Sequence, residues 1–157
     1  MPGPALRTDI IDAYVFKRNA AAVELLQCRR TQPPLAGSWH PVMGHIEPGE
    51  RATDTLWREL HEELGLARSI ACGAWALEQV HPFFLPDKDA VFLSPRFAVE
   101  VPPGWQPVLN EEHDASRWVP IAAAESDFVW PGQHASIAEL RLILAPNSQL
   151  AEQLAIT

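Results

Sequence analysis

Short β-rich segments mixed with helical stretches, without the strict alternation of a parallel sheet, predict an α+β fold: a mixed sheet flanked by helices. Two further observations narrow it. A stretch over residues 52–64 carries a leucine stripe at helical spacing, able to cover one face of a sheet. No internal repeat or low-complexity linker divides the 157 residues, a length suited to one domain, so residues 1–157 are read as a single unit.

The elements follow in order. Residues 10–16 are β-rich and short and read as a buried strand. Residues 17–22 form a polar, alanine-rich turn. Residues 23–28 give a second strand, with Arg29 and Arg30 at its exit. Two prolines and a glycine make residues 31–38 a loop, and residues 39–43 a short strand delivering the chain to Gly44. Pro48 and Gly49 then turn it into the helix. Thr53, Leu56, Leu60 and Leu64 share one face of that helix with Trp57 at its margin; Gly65 suits a left-handed cap that Leu66 closes. Strands are expected over residues 70–80 and 91–101, separated by a proline-containing loop over 81–90. A final short strand at 117–120, a short helix at 120–127 and a helix at 133–144, stopped by Pro146, complete the chain, with a further helical turn after Asn147.

Composition excludes several classes. A hydrophobic fraction of 47% supplies a core, and no uncharged apolar run is long enough for a membrane helix. The first residues lack a basic segment followed by an apolar one, so a cytoplasmic address is the expectation. A net charge of −8 repels a polymeric nucleic-acid backbone but not a small phosphorylated ligand, because divalent cations bridge acidic side chains and phosphates. Cys28 and Cys72 read as reduced, buried thiols, and the scattered histidines offer no zinc spacing. A homodimer is compatible with the chain, though nothing in the sequence demands one.

Glu59, Glu62 and Glu63 lie at i, i+3 and i+4 and therefore share one helical face beside the leucines. Taken alone, such a triplet is the usual solvated acidic surface. Two carboxylates ~5 Å apart repel by roughly 3 kcal/mol at an effective dielectric of ~20, and by far less in open water. Only a partly buried cluster therefore needs a cation. Hard oxygen ligands would select Mg²⁺ or Mn²⁺.

The surrounding residues change the reading. Gly44, Glu50, Arg58, Glu59, Leu60, Glu62, Glu63, Gly65 and Leu66 fall at every fixed position of a Nudix box, with both spacers intact. The sequence thus resembles the Nudix hydrolases, which implies an α/β/α sandwich built around a loop-helix-loop and hydrolysis of a nucleoside diphosphate linked to another group. The resemblance implies that Glu59, Glu62 and Glu63 bind Mg²⁺ (or Mn²⁺), with Glu62 or Glu63 orienting or deprotonating water. It implies that Arg58 pairs with Glu50, and that the carbonyl at Met43 or Gly44 supplies a further ligand. Gly44 and Gly65 are conformational requirements.

Outside the box the match is softer. Val42-Met43-Gly44 stands where the family often has Pro-Gly-Gly. Arg29 and Arg30 are placed where relatives present an arginine to phosphate, with surface charge the competing reading. Glu112, six residues before Trp118, has the spacing of an additional catalytic or metal-binding glutamate and is preferred to Glu111; the neighbouring His113 is an assistant or a bystander. Trp39, Phe83, Phe84 and Trp130 are candidates for stacking on a base or pterin ring, each weighed against core packing. Trp39, Val42, Glu112, His113, Trp118, Trp130, Gln133 and Ile137 together resemble dihydroneopterin triphosphate diphosphatases and dATP-type pyrophosphohydrolases. A nucleoside-triphosphate-like substrate is therefore expected. ADP-ribose hydrolysis (Pro82 falls one position late) and dinucleotide polyphosphate hydrolysis (Phe83 and Phe84 replace a tyrosine) are the alternatives. A non-catalytic nucleotide-binding module is the rival of another class.

Overall fold

The computed structural model describes residues 2–20 and 22–157, with the side chain of Glu125 excepted. Among the described residues ten strands form two sheets. The larger one runs β10 (His113–Pro120), β3 (Val23–Arg30), β2 (Ile10–Arg18), β9 (Arg96–Glu100), β6 (Gly73–Ala76). β4 (Trp39–His40) joins it on β3 and β5 (Val42–His45) on β2. β2 and β9 are parallel, whereas its other pairs are antiparallel, so the sheet is mixed.

Alternation along β2 builds two cores from one strand. Ile11, Ala13 and Val15 face Leu56, Leu60 and Leu64 of α1 (Ala52–Leu64). Tyr14 and Phe16 face Ile137, Leu140 and Ile143 of α3 (Pro131–Ile143). Each fully buried leucine of α1 contributes about 1.5–3 kcal/mol. The result is the expected sandwich, helix on sheet on helix. A buried polar network also pins α3: the guanidinium of Arg96 donates to Gly132 O and Ser136 Oγ, and its Nε lies 3.6 Å from Asp12. Burial pushes the Asp12 carboxyl up to about 6, partly opposed by Arg96.

The observed α1 has the expected bounds. Asp54 accepts the backbone N–H of Arg51 at its start. At its end Gly65 (φ 66°) lets Leu66 N donate to Leu60 O and its own N donate to His61 O, a Schellman closure. On the buried face the threonine is Thr55 rather than Thr53. Its hydroxyl is held by Glu50 and Arg51 O.

Other expectations shift. The strand begun at Ile10 continues through Arg18, into the turn read over residues 17–22; Ala21 of that turn lies outside the described residues, as does Met1 of the N-terminal reading. Arg29 and Arg30 belong to β3 itself. The loop read over 81–90 contains a strand, β7 (His81–Leu85), and the strand read over 91–101 is two, split at Pro95. β7, β8 (Ala90–Ser94) and β1 (Ala5–Arg7) make the second sheet, ordered β1-β8-β7. Pro82 fits because β7 is an edge strand with one side unpaired. The long strand read over 70–80 reduces to β6 after a 3₁₀ turn at Arg68–Ile70. α2 (Ile121–Ala124) and a 3₁₀ turn follow β10, and α4 (Gln149–Leu154) follows α3. Cys28 is buried and Cys72 exposed, both as free thiols. Among the described residues no helix is long and apolar enough to cross a membrane.

Candidate active site

β5 and α1 form the site, because β5 ends where α1 lays its Glu59 side chain across the sheet. Gly44, on β5, is the contact point. A Cβ there would overlap Glu59, so the position needs glycine for close approach rather than for an unusual backbone angle.

Arg58 organises the loop on the other side. Its Nε donates to Glu50 Oε1 at 2.7 Å and its Nη2 to Glu50 Oε2 at 3.0 Å, a bidentate pair. The same Nη2 donates to His45 O, and Nη1 reaches Glu59 at 2.9 Å and Glu62 at 3.3 Å. Glu50 also accepts from Thr55 Oγ1 and Glu47 N. Hydrogen bonds from Arg58 first, then Thr55, hold its carboxyl down to about 2.

The other carboxylates are less well served. Glu59 and Glu63 are buried, at 8% and 1% exposure. Burial raises Glu59 against the pull of Arg58. Burial also pushes Glu63 well above the ordinary carboxylate range, and the charges of Glu112 and Glu59 push it further. Glu62 projects into solvent. Glu112 is exposed, on the turn leading into β10, with its backbone N–H on Asn110 and its carbonyl on Thr31. Of the adjacent pair Glu111 and Glu112, it is Glu112 whose charge reaches Glu63.

Two buried acids, of which only Glu59 is paired with Arg58, fit a hard divalent cation, since burial supplies the desolvated oxygen ligands that a solvated acidic face lacks. Glu59 and Glu62 lean on Arg58, however, and among the described residues no three ligand groups are already gathered around one point. The donor chemistry fits.

Alternation on β3 separates the two arginines read together from the sequence. Arg30 stands on the α1 side, where its charge reaches Glu63, His40 and His113, and its guanidinium is held by Gln32 O and Pro33 O. Arg29 stands on the opposite side, paired with Asp114 at 2.7 Å. Trp39 is its cross-strand partner, and the Arg117 guanidinium lies 4.0 Å over the Trp39 ring. The sequence carries no signal for Arg117, whose place beside Trp39 follows from the register of β10 against β3, where it pairs with Gln27. Phe83 stacks with Phe92 (5.1 Å) and with His81 (6.0 Å) in the small sheet. Phe84 is exposed on that strand, and Trp130 is partly exposed just ahead of α3. A separate recess of about 250 Å³, lined by Arg51, Trp57 and Arg68 among others, lies on the opposite side of α1 from Glu59 and Glu63.

Sandwich and box spacing define a NUDIX-type domain built on a loop-helix-loop. The NUDIX domain family profile matches residues 7–140, and the chain belongs to the Nudix hydrolase family. Members act on pyrophosphate bonds and generally use divalent metals. An octanoyltransferase of Myxococcus xanthus is 33% identical over 125 residues, 77% of this chain and 32% of that protein, so the chain spans about a third of this relative's length. The solved Ap4A hydrolase of C. elegans superposes with a TM-score of 0.74 at 16% identity, covering 88% of this chain and 98% of that one. The E. coli dihydroneopterin triphosphate pyrophosphohydrolase superposes with a TM-score of 0.70 at 20% identity, covering 87% and 96%. At these identities the structural likeness speaks for the fold.

Proposed function

We propose that this chain is a Mg²⁺-dependent pyrophosphohydrolase (Mn²⁺ serving as an alternative) that cleaves a nucleoside-triphosphate-like substrate to the monophosphate and pyrophosphate. The observation that carries the reading is the buried pair Glu59 and Glu63, with Glu59 set against Gly44, Glu62 exposed on the same helix face and the charge of Glu112 reaching Glu63. Glu59, Glu62, Glu63, Glu112 and the backbone carbonyl at Gly44 or Met43 would hold the cation. When bound, it would neutralise charge on the pyrophosphate oxygens and lower the cost of bringing that anion to an acidic surface.

The chain's own residues do the rest. Glu63 or Glu62 takes the proton of the attacking water. Arg58 is a positioning residue: it fixes the loop through Glu50 and tethers Glu59. Arg30, on the glutamate side of the sheet, is better placed than Arg29 to meet a phosphate. Trp39 is left to frame the ring end of the substrate only if Arg117 gives way, and Phe83 supports its own sheet. Support for a triphosphate rests on the position of Glu112 ahead of Trp118, a pattern of the triphosphate-cleaving members. A net charge of −8 disfavours a polymeric nucleic acid and is compatible with a small nucleotide-type substrate.

Incubation with dNTPs, dihydroneopterin triphosphate, ADP-ribose and dinucleotide polyphosphates in Mg²⁺ tests the reading. Pyrophosphate and a monophosphate from a triphosphate are expected. Turnover confined to ADP-ribose (to AMP and ribose 5-phosphate) or to dinucleotide polyphosphates (to two nucleotides) overturns the substrate class. No Mg²⁺-dependent turnover of any of them favours a binding module.

A further inference from the structure

Among the described residues, four buried polar side-chain atoms lack a hydrogen-bond partner. Two of them, Nδ1 of His113 and Nδ1 of His40, belong to the layer behind Glu63. His113 is 8% exposed and opens β10 at a register shift, where the strand departs from regular pairing with β3. Its Nδ1 lies 3.7 Å from Glu63 Oε2, less than an ångström beyond an ordinary hydrogen bond. Behind it, His40 is fixed through Nε2 by Ser38 Oγ at 2.6 Å. An orphaned buried donor costs about 1–3 kcal/mol. Such a cost is tolerated where a partner arrives on ligand binding.

We propose that His113 is a positioning residue for Glu63: its Nδ1–H donates to Oε2 and turns the other oxygen toward the cation and Glu59. This rests on Glu63 being a cation ligand in the proposed hydrolase. The logic is chemical. A buried carboxylate that gives one oxygen to a cation keeps the second unsatisfied unless a neighbour donates to it, and such outer partners set ligand orientation. Glu59 has Arg58 in that role. Glu63 has His113 alone within reach of its Oε2 as an ion-pair partner among the described residues.

His113→Leu removes the donor, and His113→Asn returns one at the place of Nδ1. Mn²⁺ binding to the metal-free proteins, followed by loss of the free-ion electron paramagnetic resonance signal, gives a readout separate from turnover. His113→Leu is expected to weaken Mn²⁺ affinity about 10–100-fold, and His113→Asn to recover most of it. Equal affinity in wild type and His113→Leu overturns the proposal, as does an Asn variant as damaged as the Leu variant. Glu63→Gln is run alongside: if it binds Mn²⁺ like wild type, the cation-site reading itself fails. Should His113→Leu not fold, ¹⁵N spectra of wild-type imidazoles decide. Nδ1 of His113 carrying the proton, with a resonance that moves on Mg²⁺ addition, is expected. Protonation on Nε2 alone overturns the assignment.

Discussion

Glu50 and Glu63 belong to the same loop-helix segment and meet opposite environments. Glu50, at the open end of the loop, accepts from Arg58 through both oxygens and from Thr55 and Glu47 N. Glu63, a few turns along, is enclosed by the sheet and faces two like charges, opposed by the charge of Arg30, with the His113 imidazole 3.7 Å away. One carboxylate is held well below its ordinary range and the other well above it. The first is a finished structural clamp. The second is unfinished in a way that a divalent cation would complete, and divergent carboxylates of this kind are what active sites collect.

Adding the cation should erase the difference. With free Mg²⁺ at about 100 times its Kd, the protein gains about 2.7 kcal/mol of stability, read as a rise in Tm, and Glu59→Gln removes most of that gain. A Tm unmoved by Mg²⁺ in wild type would leave the buried pair without a cation.

Gly44→Ala sharpens the geometry. The added methyl displaces Glu59 from β5, at about 1–3 kcal/mol of overpacking. Chemical denaturation measures the cost, and turnover should fall more than stability does. Gly49→Ala, a loop position with open space around it but a positive φ, should lose stability while keeping turnover.

The smallest effect is in the pH dependence of the metal-free protein. Glu50 has a lowered folded pKa, so its stabilisation is complete above the unfolded glutamate value and disappears as pH falls toward about 2. Glu63 has a raised one, so its contribution runs the other way: the folded state is favoured below the unfolded value and loses that advantage as pH rises through the shifted pKa. Glu63→Gln should flatten the alkaline side of the Tm profile and leave the acid side unchanged. A flattened acid side instead would place the abnormal group elsewhere.

Local physics made much of this legible in the sequence. Helical spacing gives α1, its leucine face and the shared face of Glu59, Glu62 and Glu63, and Gly65 marks its end. What needed the structure is non-local. The strand at 81–85 contains a proline and forms only because β8 pairs with it, and Pro95 divides one apolar run between two sheets. Whether the acidic face is solvated or buried depends on what covers α1, and composition is silent on that. Period-two alternation already separates Arg29 from Arg30, yet which side meets Glu63 follows only from placing α1. The Arg117–Trp39 stack and the buried Asp12–Arg96 pair depend on cross-sheet register.

The most direct test of the central claim is Mg²⁺-dependent pyrophosphate release by wild type and by Glu62→Gln/Glu63→Gln, both shown to be folded. Wild type should release pyrophosphate from a triphosphate, and the double variant should lose about 10²–10⁴-fold in rate. Hydrolysis that persists unchanged in the double variant contradicts the assignment of these carboxylates.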